Sequence, residues 1–255
     1  MNNNQDNNNS NTPEQTPSWG NTATVMPPNA KHRVHYLSII GQIEGHNMLP
    51  PQTKTTKYEF VIPQLITVAE DKEIEGLMVI LNTVGGDVEA GLAIAEMISD
   101  LKKPTVSLVL GGGHSIGVPL AVSAKKSFIV PSATMTLHPI RMNGTMIGAS
   151  QTYEYFNKVQ EQVVSFVERN SGMSGDEFRK MMLAAGNIAN DLGTILFGEE
   201  AVKAKLIDSV GGVSDAIKYL YSEIEKSSSG KSTSKKSSDN KSSDRKTSSK
   251  KTSNK

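Results

Sequence analysis

The sequence predicts an α/β domain with a largely parallel sheet, on three observations. Short apolar or β-branched runs alternate with amphipathic helical stretches along the middle of the chain. Two of those runs, Leu77-Met78-Val79-Ile80-Leu81 and Thr105-Val106-Ser107-Leu108-Val109-Leu110, are continuous enough to be strands covered on both faces. Each is followed by a glycine turn that opens a helix, and a repeated strand-then-helix order places successive strands parallel.

In chain order, Tyr36-Leu37-Ser38-Ile39-Ile40 reads as a strand, followed by a polar loop through Pro50 and Pro51. Tyr58 to Ala69 reads as a helix, with Pro63 near its first turns or bending it. After the Leu77 strand and Gly85-Gly86 comes a helix with Val88, Leu92, Ala95, Ile98 and Leu101 on one face, and Asp87 beside its first turn suits the positive end of the helix dipole. The Thr105 strand, the turn Gly111-Gly112-Gly113-His114-Ser115-Ile116-Gly117 and a small-residue helix from Val118 to Ala124 follow, then short strands at Phe128-Ile129-Val130 and Thr134-Met135-Thr136-Leu137. The helix Gln151 to Arg169 carries two apolar faces, with Tyr155, Val159, Val163 and Phe166 on one and Phe156, Val164 and Val167 on the other, which implies two neighbours. Helices around Asp176 to Ala185 and Glu199 to Lys205 lead into Leu206-Ile207-Asp208 and a closing helix from Val213.

The ends differ from this middle. Residues 1–30 are rich in Asn, Thr and Pro with almost no apolar clusters, and residues 226–255 are nearly all Lys, Ser and Thr, so both are expected to be disordered. The formal net charge of +1 conceals a cationic tail and a mildly acidic body over 31–225. Such a tail suits a phosphate-rich partner, in particular an anionic membrane surface, or serves only as a solvated tail. It has no aromatic residue to stack bases, which argues against sequence-selective nucleic-acid binding. The chain has no cysteine, so disulfides and thiolate metal sites are excluded and a cytoplasmic location fits. The N-terminus lacks the apolar segment of a secretory signal. The uncharged stretch between Lys103 and Lys125 approaches a membrane span in length, but its prolines, glycines and His114 make it protein core instead.

The serine turn carries the chemistry. A strand, a glycine turn holding Ser115 and a small-residue helix expose a hydroxyl beside backbone amides, although a tight turn between core elements is the bland alternative. A serine needs a positioned base, and of the five histidines His138, at the end of a strand and before Pro139, is the candidate. His32, His35 and His46 lie early in the chain, and the side chain of His114 diverges from that of its neighbour Ser115. The Gly-x-Ser-x-Gly elbow of α/β-hydrolases is satisfied by Gly113-His114-Ser115-Ile116-Gly117, but no Asp or Glu lies between Ser115 and His138, so the order serine, acid, histidine fails. The acid then lies after His138: Asp191, in a loop entering an apolar strand, is favoured over Asp208, which has the setting of a turn or cap residue. The oxyanion amides are assigned to Gly86, at the end of a buried strand, and Ile116, next to the nucleophile.

These residues resemble the ClpP family of serine peptidases, within the wider ClpP/crotonase fold. The resemblance runs from Tyr36 to Ser209 and rests on Gly41-Gln42-Ile43-Glu44, Asn82-Thr83-Val84-Gly85-Gly86, the glycine-flanked Ser115, Leu137-His138-Pro139, and Glu200-Ala201 followed by Leu206-Ile207-Asp208-Ser209. The Asn-rich arm points within that family to its translocation-enhancing branch, associated with protein export. The resemblance implies repeated β-β-α units, a serine endopeptidase acting on peptides or unfolded proteins with Ser115, His138 and Asp191 as triad, and no cofactor or metal. It also implies a homo-oligomer of stacked rings, joined through the Gln151 to Arg169 helix, and an ATP-driven unfoldase as partner. The chain departs from the family in Thr83-Val84 in place of Ser-Pro, in His114 and Ile116 flanking the serine, and in extra polar sequence near Leu49 to Lys57. Asp191 also stands two residues farther from the Ile195-to-Ala201 segment than family spacing gives. A non-hydrolytic adaptor that aids export by binding, and a crotonase-like acyl-CoA enzyme, are the alternative functions.

Overall fold

The computed structural model describes residues 29–141, 148–188 and 191–239. The arm at 1–28 and the tail from 240 lie outside the described residues, so the expectation of disorder there is not addressed.

Six strands form the parallel part of the sheet: β1 (Val34–Glu44), β2 (Thr55–Lys57), β3 (Gly76–Gly86), β4 (Thr105–Gly113), β5 (Lys126–Ile129) and β10 (Ser209–Val210), in the order β10-β5-β4-β3-β1-β2. β6 (Thr134–Leu137) branches from the end of β4 in parallel and pairs antiparallel with β9 (Thr194–Phe197), while β7 (Ala185–Ile188) and β8 (Asp191–Leu192) make a separate small ribbon. The helices are α1 (Tyr58–Glu70), α2 (Val88–Asp100), α3 (Gly117–Val122), α4 (Ala149–Asn170), α5 (Gly175–Met182), α6 (Gly198–Lys203) and α7 (Val213–Asp239). This is the α/β architecture that the strand-then-helix rhythm predicts.

Alternation along each strand divides the core. Leu37, Ile39, Leu77, Val79 and Leu81 pack with Val61, Leu65 and Val68 of α1 and Ile94, Ala95 and Ile98 of α2. Val34, Met78, Val106 and Leu108 face the opposite way, against Ala216, Leu220 and Ile224 of α7. Apolar side chains on both faces are what make the β3 and β4 runs continuous in sequence. Burial of Val106, Leu108 and Leu120 confirms that the uncharged stretch up to Lys125 is protein core. Among the described residues no helix is long and apolar enough to cross a membrane. At the start of α2 the Asp87 carboxylate accepts the Ala90 N–H (2.8 Å), so the helix begins directly after the Gly85-Gly86 turn.

Several elements differ from expectation. β1 continues to Glu44 and is edged by the polar strand β2, where Thr56 Oγ1 bonds both the N–H and the carbonyl of Ile40 (2.9 Å each). The helix expected up to Ala185 stops at Met182, and Ala185 begins β7. α7 runs to Asp239, past Lys226, where composition predicted no regular structure. The apolar stripe Ala216, Leu220 and Ile224 anchors this helix, and the hydroxyls of Ser227, Ser228 and Ser229 turn back onto carbonyls one turn earlier.

His35 sits in β1 under α1, 5% exposed, with Nε2 3.3 Å from Gln64 Oε1, and burial holds it below the ordinary histidine range. The unfolded chain takes a proton at this residue below about pH 6.5 while the native state resists it. Its contribution is therefore full above about pH 6.5 and is lost as pH falls, by at most about 1.4 kcal/mol per pH unit. The urea midpoint is expected to drop between pH 7.5 and 5.5, and His35→Gln to flatten that drop.

Candidate active site

The site lies where β3 and β4 end side by side and β6 branches off. At the end of β4 the chain turns into α3 with Ser115 at φ 57°, a left-handed conformation that a non-glycine residue adopts only when its surroundings enforce it. Those surroundings are identifiable. The His114 N–H donates to Thr83 O of β3 (3.2 Å), the Ser115 N–H to Thr136 O of β6 (2.9 Å), and the Val118 N–H returns to Ser115 O (2.9 Å). Gly85, at φ 90°, lies against the serine so closely that a Cβ there would stand 2.6 Å from Ser115 Cβ.

Ser115, His138, Gly86 and Ile116 line one cavity of about 230 Å³. The sequence-predicted residues described with their side chains are thus brought together by β3, the β4–α3 turn and the end of β6. The wall opposite is apolar, from Val163 of α4 and Phe178 and Met182 of α5, and Arg141 and Gln160 add polar groups.

The geometry gives each group a chemical capacity. His138 Nδ1 donates to Pro139 O (2.7 Å), because a carbonyl can only accept, so the neutral ring carries its lone pair on Nε2. The Ile116 N–H has no hydrogen-bond partner among the described residues, since the bond that anchors the turn is made by Ser115. The Asp87 N–H donates to Ile43 O (3.0 Å), and Gly86, paired with Ile43 at the end of β3, lines the cavity beside Ser115 and Ile116. Two amides beside a hydroxyl and an imidazole are the components of acyl transfer.

The acid is a different matter. The Asp191 side chain lies outside the described residues; its backbone forms β8, paired with Ile188. The β6–β9 pairing ends at Leu137↔Thr194, and the chain just before it pairs with β7 instead, with the Gly193 N–H donating to Ala184 O (2.8 Å). Asp208 lies elsewhere: its Oδ2 accepts the N–H (2.8 Å) and the hydroxyl (2.9 Å) of Ser127, and its own N–H donates to Ser127 Oγ (3.0 Å). It ties β5 to the chain entering β10, which is the structural role its setting in the sequence indicates. Asp208→Ala strips the buried Ser127 N–H of its acceptor and is expected to cost about 1–2 kcal/mol in urea unfolding. Turnover per folded molecule stays unchanged, a result that a triad acid would not give.

The other histidines are engaged away from the cavity. His32 is set against Glu75, His35 is under α1 and His46 packs edge-on against Tyr58. The ring of His114 turns back from the serine, Nδ1 2.8 Å from Thr136 Oγ1. Burial, and then the charge of His138, hold it below the ordinary histidine range. Sequence reasoning missed Thr136, Gln160, Phe178 and Met182, which carried no local signal beyond strand or helix periodicity.

Known proteins share this arrangement of sequence. The chain is 56% identical over 203 residues to the translocation-enhancing protein TepA of Halalkalibacterium halodurans, covering 80% of this chain and 79% of that one. It is 30% identical over 134 residues to an ATP-dependent Clp protease proteolytic subunit of Streptococcus pneumoniae, covering 50% of this chain and 68% of the relative. The Clp protease family profile matches residues 32–214, a span that holds the whole cavity, its serine turn and the strand that ends at His138. The chain therefore belongs to the Clp protease family.

Proposed function

We propose that this chain is a serine endopeptidase that cleaves peptides or unfolded proteins through an acyl-enzyme formed on Ser115. The observation that carries the reading is the shared cavity of Ser115, His138, Gly86 and Ile116, with the serine held at positive φ. In the first half-reaction Ser115 Oγ bonds to the scissile carbonyl carbon and its proton passes to His138 Nε2. The oxyanion accepts hydrogen bonds from the Gly86 and Ile116 N–H groups. As the C–N bond breaks, the amine leaves with the proton from His138. Water then gives a proton to His138 and bonds to the acyl carbon, and Ser115 recovers its hydrogen as the acid departs.

Asp191 is the proposed orienting acid, in a peptidase domain spanning 31–225. Pro139 O holds the Nδ1–H of His138, so Asp191 acts as orienting acid by taking that hydrogen bond over from the carbonyl. The mechanism uses no cofactor. By analogy with the pneumococcal relative, named as the proteolytic subunit of an ATP-dependent protease, the chain works as a homo-oligomer of stacked rings with an ATP-driven unfoldase. The cytoplasm, with the Lys-rich tail at an anionic membrane surface, is the proposed location.

A second reading, a non-hydrolytic adaptor that aids export by binding, is favoured by the identity to a protein named for enhancing translocation. A fluorophosphonate probe separates the two. Labelling at Ser115, read as one adduct per chain by intact mass and absent from Ser115→Ala, supports the peptidase. No labelling, with export rescued by Ser115→Ala, rejects it in favour of the adaptor.

A further inference from the structure

We propose that His114 and Thr136 form a brace that sets the separation of Ser115 and His138, making both positioning residues for the reaction above; the inference rests on that peptidase reading. Thr136 is engaged at both of its polar side-facing groups by consecutive residues of the serine turn. Its carbonyl accepts the Ser115 N–H at 2.9 Å, and its hydroxyl lies 2.8 Å from His114 Nδ1. Thr136 belongs to β6, whose last residue is Leu137, so His138 follows two positions on, where the chain leaves the strand. Nucleophile and base belong to different segments, and these two bonds join them through a single residue.

The ring of His114 is seated for this role. It lies back over Gly112, where a Cβ would meet Nε2 at 2.6 Å and Cδ2 at 2.7 Å, so the glycine leaves the space that the imidazole fills. The backbone N–H of His114 is held by Thr83 of β3, so the residue preceding the nucleophile is tied to the strands on both sides. His138 is the charged group that acts on His114, and no carboxylate lines the neighbouring cavity among the described residues. Burial, and then the charge of His138, lower the His114 pKa, which disfavours a second positive charge beside His138.

Three variants test the brace. Thr136→Val keeps the shape and removes the hydroxyl; kcat for a peptide substrate is expected to fall about 10- to 100-fold with KM within about twofold, because a misplacement of about 1 Å between reacting groups has that effect. Thr136→Ser restores kcat to within about threefold of wild type. His114→Gln matches Thr136→Val, and the double variant is no worse than either single, since both remove one interaction. Wild-type kcat in Thr136→Val, a Thr136→Ser variant as impaired as the valine, or losses that multiply in the double variant would overturn the proposal. Hydrogen exchange at the Ser115 amide supplies a reading without turnover: it is expected to quicken at least about tenfold in Thr136→Val and His114→Gln but not in Thr136→Ser. Unchanged exchange rejects the brace whatever the activity, whereas Ser115-independent turnover with quickened exchange rejects the peptidase reading and leaves the brace standing as structure.

Discussion

Peptide turnover by the Ser115→Ala variant is expected to fall by about 10⁴-fold or more, because removal of the nucleophile leaves only binding and the oxyanion amides to act on the substrate. The measurement is the rate of a fluorogenic peptide at saturating concentration. A loss below about tenfold would mean that the Ser115 hydroxyl does no chemistry. The same position carries a stability signature. Ser115 sits at φ 57°, where alanine is strained as serine is and glycine is not. Ser115→Gly is therefore expected to be more stable than Ser115→Ala by about 1 kcal/mol in urea unfolding. If the two unfold alike, the left-handed turn is not what stores strain at this site.

Gly86→Ala is expected to damage fold and chemistry together. At φ 152° a side chain is already disfavoured, and a Cβ would stand 2.2 Å from Ile43 O, a backbone atom of the adjacent strand that cannot swing aside. β1 and β3 must part, at a cost on the order of 3 kcal/mol. The parting also turns the Gly86 N–H away from the oxyanion position, so kcat in the folded fraction falls by about 10²-fold or more. Urea unfolding followed by kinetics on the folded fraction separates the two effects. Wild-type stability in this variant would show that the β1–β3 ladder tolerates a side chain where the structure leaves no room for one.

Much of the candidate site was legible because its signals are local. A serine among glycines after a buried run, a histidine at a strand end before proline, and a glycine pair closing a buried strand each need only neighbouring residues to be seen. Chain order did further work, since the absence of any carboxylate between Ser115 and His138 disposed of the α/β-hydrolase arrangement. What the local pattern lacked was reach. Thr136 reads as one polar residue of a short strand, yet it is the residue that both His114 and Ser115 contact. Phe178 and Met182 read as the core stripe of a short helix, and they are the wall of the cavity. Asp208 and Asp191 were ranked on their flanking residues alone; only packing showed that Asp208 is committed to Ser127.

The sequence alone determined the alternation of strands and helices and the identities of the nucleophile and base candidates. Burial on one face or both writes a period into the chain, and a turn that exposes a side chain demands glycine beside it. Only the tertiary structure decided the rest: that β2 edges β1, that α7 continues to Asp239, that β6 leaves β4 to bring His138 to the cavity that Ser115 lines. Those outcomes depend on contacts between residues distant in the chain. Such contacts are fixed by packing, which leaves no period in any one segment.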